Sequence, residues 1–117
     1  MSVSNDVIMN ACLPILENAR IHPHGDNERC FLTAYQIWLI LVEQNDPICE
    51  TLISEYGPAV GKGGGENVGP AQRIAQALGR SDQIETHYID TRKIRFQSPL
   101  GNLEPSDPDC GLFRLRD

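Results

Sequence analysis

The 117-residue chain is short of most signals that assign a function on sight. Its four cysteines, Cys12, Cys30, Cys49 and Cys110, lie 18, 19 and 61 positions apart. No C-x-x-C pair is present, which leaves out zinc knuckles and thiol-exchange motifs and makes buried free thiols the plain expectation. No apolar run approaches the ~20 residues that cross a bilayer. The longest, CFLTAYQIWLILV, has 13 residues with Thr33 and Gln36 inside it and reads as a buried helix. The N-terminal stretch MSVSNDVIMNACLPILENAR has no basic region, and Asn10, Pro14 and Glu17 interrupt its apolar positions, unlike a secretory signal. A cytoplasmic protein without membrane association is expected. Positive charge is scarce as well: 10 Lys and Arg stand against 16 Asp and Glu, for a net charge of -6.

Catalytic and metal signatures are equally thin. There is no G-x-S-x-G elbow and no H-E-x-x-H, so no catalytic residue is assigned. His87 beside Tyr88 reads as structural, and Glu50 and Glu55 as a solvated helix face. The segment HPHGDNERC places His22, His24, Asp26 and Cys30 close together, but an H-x-H in a Pro/Gly loop lacks a second ligand pair. No metal and no cofactor are expected.

What is present begins with glycine. The run GKGGGENVG, residues 61–69, invites comparison with a phosphate loop, yet Lys62 precedes the glycines and no Ser or Thr follows it, so the G-x-x-x-x-G-K-[ST] chemistry fails. The dinucleotide fingerprint fails too, because Val68 stands where its third glycine belongs and a helix, not a strand, leads in. The run reads as a loop before a helix.

Local signals place four helices. The first covers about residues 4–18, with Val7, Ile8, Ala11, Cys12, Ile15 and Leu16 on one stripe and Pro14 expected to kink or break it. The second starts at Thr33, which forms a capping box with Gln36, and Leu32 can staple to Ile37. It is apolar nearly all round, so a second surface must cover it, either its own core or a partner chain. A homodimer seam on Tyr35, Trp38 and Leu39 is the functional version. The third runs from Asp46 and Pro47 to Gly57, with Ile48, Leu52 and Ile53 inward. The fourth starts near Pro70, carries Ile74, Ala77 and Leu78 inward, and stops at Gly79. The period then falls toward 2: QIETHYI and KIRFQ read as strands joined by DTR, and GLFRLR as a third strand. The expected fold is α+β, three or four N-terminal helices followed by a small three-stranded antiparallel sheet, in one domain (1–30 helix and linker, 31–79 helical core, 80–117 hairpin and return strand).

RIAQALGRSDQIETHYI resembles the helix-turn-helix of DNA-binding proteins, through Ile74, Ala75, Leu78 and Gly79; Arg80 and Ile84 depart from that pattern. In another register, helices 33–44, 47–56 and 70–78 followed by the strands from 84 onward are similar to a winged helix. That resemblance implies double-stranded DNA as a partner, with Gln72, Arg73 and Gln76 entering the major groove and Arg92, Lys93 and Arg95 on an 84–97 hairpin meeting phosphate. Residues 60–97 carry 6 basic and 4 acidic side chains, the only basic stretch of the chain. The favoured expectation is a non-enzymatic interaction module that self-associates through the helix around Trp38. A winged-helix-like DNA-binding protein is the alternative.

Overall fold

Short-range signals set the helix ends in the computed structural model, which describes residues 3–21, 28–60, 69–98 and 101–116. Helix α1 (Asn5–Asn18) starts where the Ser4 hydroxyl accepts from the Val7 N–H, and it continues through Pro14 without a break. The proline is solvent-facing, so the missing N–H costs the helix one bond and the core no contact. The buried stripe is Ile8, Met9, Cys12, Ile15 and Leu16, with Val7 turned out. Helix α2 (Ala34–Glu43) carries the complete capping box: Gln36 N–H donates to Thr33 Oγ1, and Thr33 N–H donates to Gln36 Oε1 at 2.9 Å. Helix α3 (Ile48–Tyr56) is held at its start by Asp46, whose carboxylate accepts from Ile48 N–H, and ends at Gly57 with φ 82°. Ile53, expected inside, is exposed, and Cys49 takes its place beside Ile48 and Leu52.

Helix α4 (Pro70–Gly79) has the sharpest division of faces, with Ala71, Ile74, Ala77 and Leu78 buried and Gln72 and Gln76 exposed. It packs on α1 and α2, and these three helices enclose a core in which Ile8, Leu16, Ile37, Leu41, Ile74 and Leu78 are fully covered. Gly69 stands at the α4 entry, where a Cβ would lie 2.7 Å from the Ala59 carbonyl oxygen. That oxygen belongs to the backbone and has no rotamer to yield. Gly69→Ala is therefore expected to lower stability by about 1–2 kcal/mol, as overpacking does, measured as a fall in the urea midpoint at unchanged slope.

The strands depart from the sequence expectation. A two-residue strand β1 (Leu32–Thr33) precedes α2, so the helices are not all N-terminal to the sheet. Strand β2 (Ile84–Asp90) pairs along its whole length with the last strand, not with KIRFQ. KIRFQ contributes only to β3 (Phe96–Ser98), which forms a separate two-stranded sheet with β4 (Gly101–Leu103). The last strand, β5 (Asp109–Leu115), lies between β1 and β2 in an antiparallel sheet of order β1-β5-β2. The chain turns away at 91–94, where Lys93 takes φ 72° and Ile94 N–H donates to Thr91 O. A seven-residue partner that puts Phe113 on the core face then outcompetes a three-residue one.

The 84–97 hairpin is thus replaced by a β2–β5 hairpin with a long insert. Thr91 closes the base of that insert, its N–H bound to Pro108 O and its hydroxyl donating to Asp107 O. The helix-turn-helix register is also overturned. Residues 84–90 are a strand, Gly79 is the last residue of α4 without a left-handed backbone, and Ser81 accepts from Gln83 N–H in a turn. The glycine run 61–68, with Lys62, and the trio His22, His24 and Asp26 lie outside the described residues.

Candidate interaction surface

The residues singled out for DNA contact divide by environment. Gln72 and Gln76 are exposed on α4, although Gln72 Oε1 already accepts from Gly69 N–H at 3.0 Å. Arg73 points back into the protein. Its Nε donates to Tyr56 Oη at 3.1 Å and its Nη2 to Val3 O at 2.9 Å, while Val3 N–H donates to Glu55 Oε2. Glu55, read as a solvated side chain, belongs to this clasp of α3, α4 and the N-terminal segment.

Arg92, Lys93 and Arg95 are exposed on the insert, not on a hairpin with β2. Arg92 donates from Nε and Nη2 to the Asp90 carboxylate, which is held below its usual range by those bonds, while Asp90 pushes the guanidinium up. Arg95 pairs with Glu104 at 2.7 Å. The cavity of about 590 Å³ between the two legs of the insert carries Glu104 and Asp107 together with these cations. Three cations against two carboxylates leave this lining only a small positive excess to offer a phosphate backbone.

The residues singled out for a dimer seam are largely engaged within the domain. Trp38 is 5% exposed and Tyr35 8%, both in the core cluster. Tyr35 also anchors the insert, since its ring stacks on Phe96 with centroids 6.0 Å apart and its hydroxyl accepts from Ser106 N–H. Leu39 is half-buried against the core, and the most open apolar side chain of α2 is Val42 at 39%. Burial pushes the Cys12 thiol up to about 12, with Asp46 adding to the shift, and raises Cys49 for the same reasons. Both are inert core thiols; Cys30 and Cys110 are half-buried. Among the described residues no group of three His, Cys, Asp or Glu side chains could hold a metal ion, and no helix is long and apolar enough to cross a membrane.

On the sheet face away from the helices, Glu85 sits directly across from Arg114 and accepts from it at 2.8 Å. Arg114 and then His87 hold the Glu85 carboxyl below its usual range. The Arg114 guanidinium also lies 4.4 Å from the Phe31 ring centroid, and His87 meets Phe31 edge-on. This face is stitched together by its own side chains.

The opposite face carries a feature that sequence reading missed. Alternation puts Ile84, Thr86 and Tyr88 on one side of β2, toward α4; Ile84 is buried, but Tyr88 is 72% exposed. Its cross-strand neighbour is Gly111, which has no side chain to cover it. Between α4 and the sheet a groove of about 250 Å³ opens beneath Tyr88, with Ala71 and Ala75 on the helix side and Phe113 on the sheet side. A Cβ on Gly111 would meet Phe113 Cζ at 2.8 Å, so the Phe113 ring, itself buried in the core, packs across that glycine. Alanines at 71 and 75 and a glycine at 111 were the signal available, but only the pairing of β2 with β5 brings them to one place. Comparison with protein-family models, curated proteins and solved structures found no match for this chain.

Proposed function

We propose that this chain is a non-enzymatic protein-interaction module on a winged-helix-like frame, with the groove between α4 and the sheet as its docking face. The frame reading is supported by the sheet order β1-β5-β2, by α4 leading directly into β2, and by the packing of α1, α2 and α4 on one another. The docking reading rests on one observation: a tyrosine exposed at 72% stands at the rim of a groove of about 250 Å³ between α4 and the sheet, with no side chain on the facing Gly111 to cover it. Tyrosine offers a large contact area at small entropic cost, which is why it is enriched where proteins meet.

Amide chemical-shift mapping tests this against the DNA reading. Short extended peptides of acidic, neutral and basic composition are titrated in turn, followed by duplex DNA at low salt. Shifts at Ala71, Tyr88 and Gly111 from at least one peptide are expected. Shifts produced by duplex alone, centred on α4 and Arg92 to Arg95 and weakened by Arg92→Ala with Arg95→Ala, would replace this reading with the DNA one.

Self-association through α2 is the second reading, carried by Val42 beside half-buried Leu39 and Ile40, with Trp38 and Tyr35 supporting that strip from within. A concentration-dependent dimer in sedimentation, dissolved by Val42→Glu and untouched by Tyr88→Ala, would support it. A monomer at every concentration would remove it.

A further inference from the structure

We propose that the outer edge of β2 pairs with the same strand of a second copy of this chain, joining two three-stranded sheets into one across a two-fold axis. The inference is independent of the groove reading, because it rests on backbone groups and not on a cavity. In the order β1-β5-β2, β2 is an edge strand, and among the described residues no strand lies on its outer side. Two bonds that flank the ladder fix which groups point there: Arg116 N–H donates to Gln83 O at one end, and Thr91 N–H donates to Pro108 O at the other. Both continue the register of β2 on β5, so the odd-numbered residues from 83 to 91 turn their backbone toward β5. Thr86, Tyr88 and Asp90 turn theirs outward.

This edge lacks the usual guards. Proteins keep open strand edges from pairing with lysine, proline, a bulge or a covering element. IETHYID contains neither lysine nor proline, and its seven residues pair with β5 in unbroken register, without a bulge. It also carries Tyr88, at 72% the most exposed large apolar side chain among the described residues.

The strand's fit to itself names a second copy as the occupant. Only one antiparallel two-fold register pairs all seven residues of β2, and it is centred on His87. There His87 faces the partner's His87, Thr86 faces the partner's Tyr88, Glu85 faces the partner's Ile89, and Ile84 faces the partner's Asp90. No carboxylate meets a carboxylate. The outward N–H and C=O groups of Thr86 and Tyr88 meet those of the partner's Tyr88 and Thr86, and the aromatic and β-branched side chains form a pair that stabilises sheets. The two Tyr88 rings become diagonal neighbours on the helix face, each gaining cover that its own domain does not supply. The net charge of -6 lies away from this edge: residues 1–59 carry 2 basic and 8 acidic side chains, whereas residues 60–117, which supply β2 and β5, carry 8 of each. Two copies thus approach through their balanced halves.

Sedimentation equilibrium of the full chain is expected to show a concentration-dependent dimer, and a monomer up to about 1 mM would overturn the proposal. A charge at the two-fold position meets its own copy, so His87→Lys and His87→Glu should each weaken the dimer about fivefold, while an equimolar mixture of the two variants should recover it. The His87 side chain is exposed, and an unchanged thermal midpoint in each variant shows that the frame is intact. Thr86→Pro removes an outward N–H and no bond to β5, and it should weaken the dimer about tenfold. Val42→Glu should leave the dimer as it is. A mixture of the His87 variants no tighter than either alone would overturn pairing centred on this residue. A dimer dissolved by Val42→Glu and untouched by the His87 variants would place the contact on α2 and overturn the proposal as well.

Discussion

Trp38→Ala is expected to lower the unfolding free energy by about 3–5 kcal/mol, the range for removing a large aromatic side chain from a packed core. Trp38 is 5% exposed on α2, the helix that touches α1, α3, α4 and the sheet, so the truncation opens a cavity at the junction of most of the fold. The neighbours are rigidly placed helices that collapse into the void only in part, and the lost contacts go largely unreplaced. For a domain whose net stability is of order 5–15 kcal/mol, that loss leaves a marginal or unfolded protein. Urea denaturation of wild type and variant measures it. A folded variant within about 1 kcal/mol of wild type would mean that Trp38 does not anchor the core, and weaker dimerisation in that folded variant would return it to the seam reading.

Arg73→Ala is expected to cost about 2–3 kcal/mol, because two charge-assisted hydrogen bonds disappear together and leave Val3 O and Tyr56 Oη short of a donor. The guanidinium joins three parts of the chain that are far apart in sequence: the N-terminal segment, the end of α3, and α4. Arg73→Lys should recover only part of the loss, since a single ammonium lacks the two-pronged geometry that reaches both acceptors. Tyr56→Phe should remove a smaller share, and in a cycle with Arg73→Ala the two effects should fall short of additivity. Were Arg73 a DNA contact instead, its removal would weaken duplex binding and leave the urea midpoint where it was.

These two expectations rest on contacts that residue type alone does not show. Arginine on the polar edge of an amphipathic helix looks available, and nothing local to PAQRIAQALG says that Val3 O waits 70 residues away in sequence. Arg92 and Arg95 looked available for the same reason. Asp90 is two residues from Arg92 and was legible as a partner; Glu104 reaches Arg95 only because the insert folds back on itself. Two of the three insert cations are thus engaged in place, Arg92 by a partner within the basic stretch and Arg95 by one outside it.

The apolar helix illustrates the opposite case. That α2 is apolar nearly all round and needs cover on several sides was readable from AYQIWLILV, and so was its start, because Thr33 and Gln36 lie three residues apart and satisfy each other through contacts made within one turn. The identity of the cover was not readable. A tryptophan buried by its own domain and one buried by a second chain have the same sequence signature, and they differ only in whether α1, α4 and the sheet arrive first.

The chain by itself determined the helix ends, the helix-then-strand change of period and the absence of phosphate-loop, C-x-x-C and H-E-x-x-H patterns. Each of these depends on residues within a few positions of one another, where capping geometry, glycine and proline backbone limits and fixed motif spacing act directly. Tertiary structure alone decided that β2 pairs with β5 across a long insert, that Trp38 and Arg73 turn inward, and that Ala71, Ala75, Tyr88, Gly111 and Phe113 converge on one groove. Strand pairing is chosen by which partner buries more apolar surface in register. That competition is settled between segments distant in sequence, and no local pattern records its outcome.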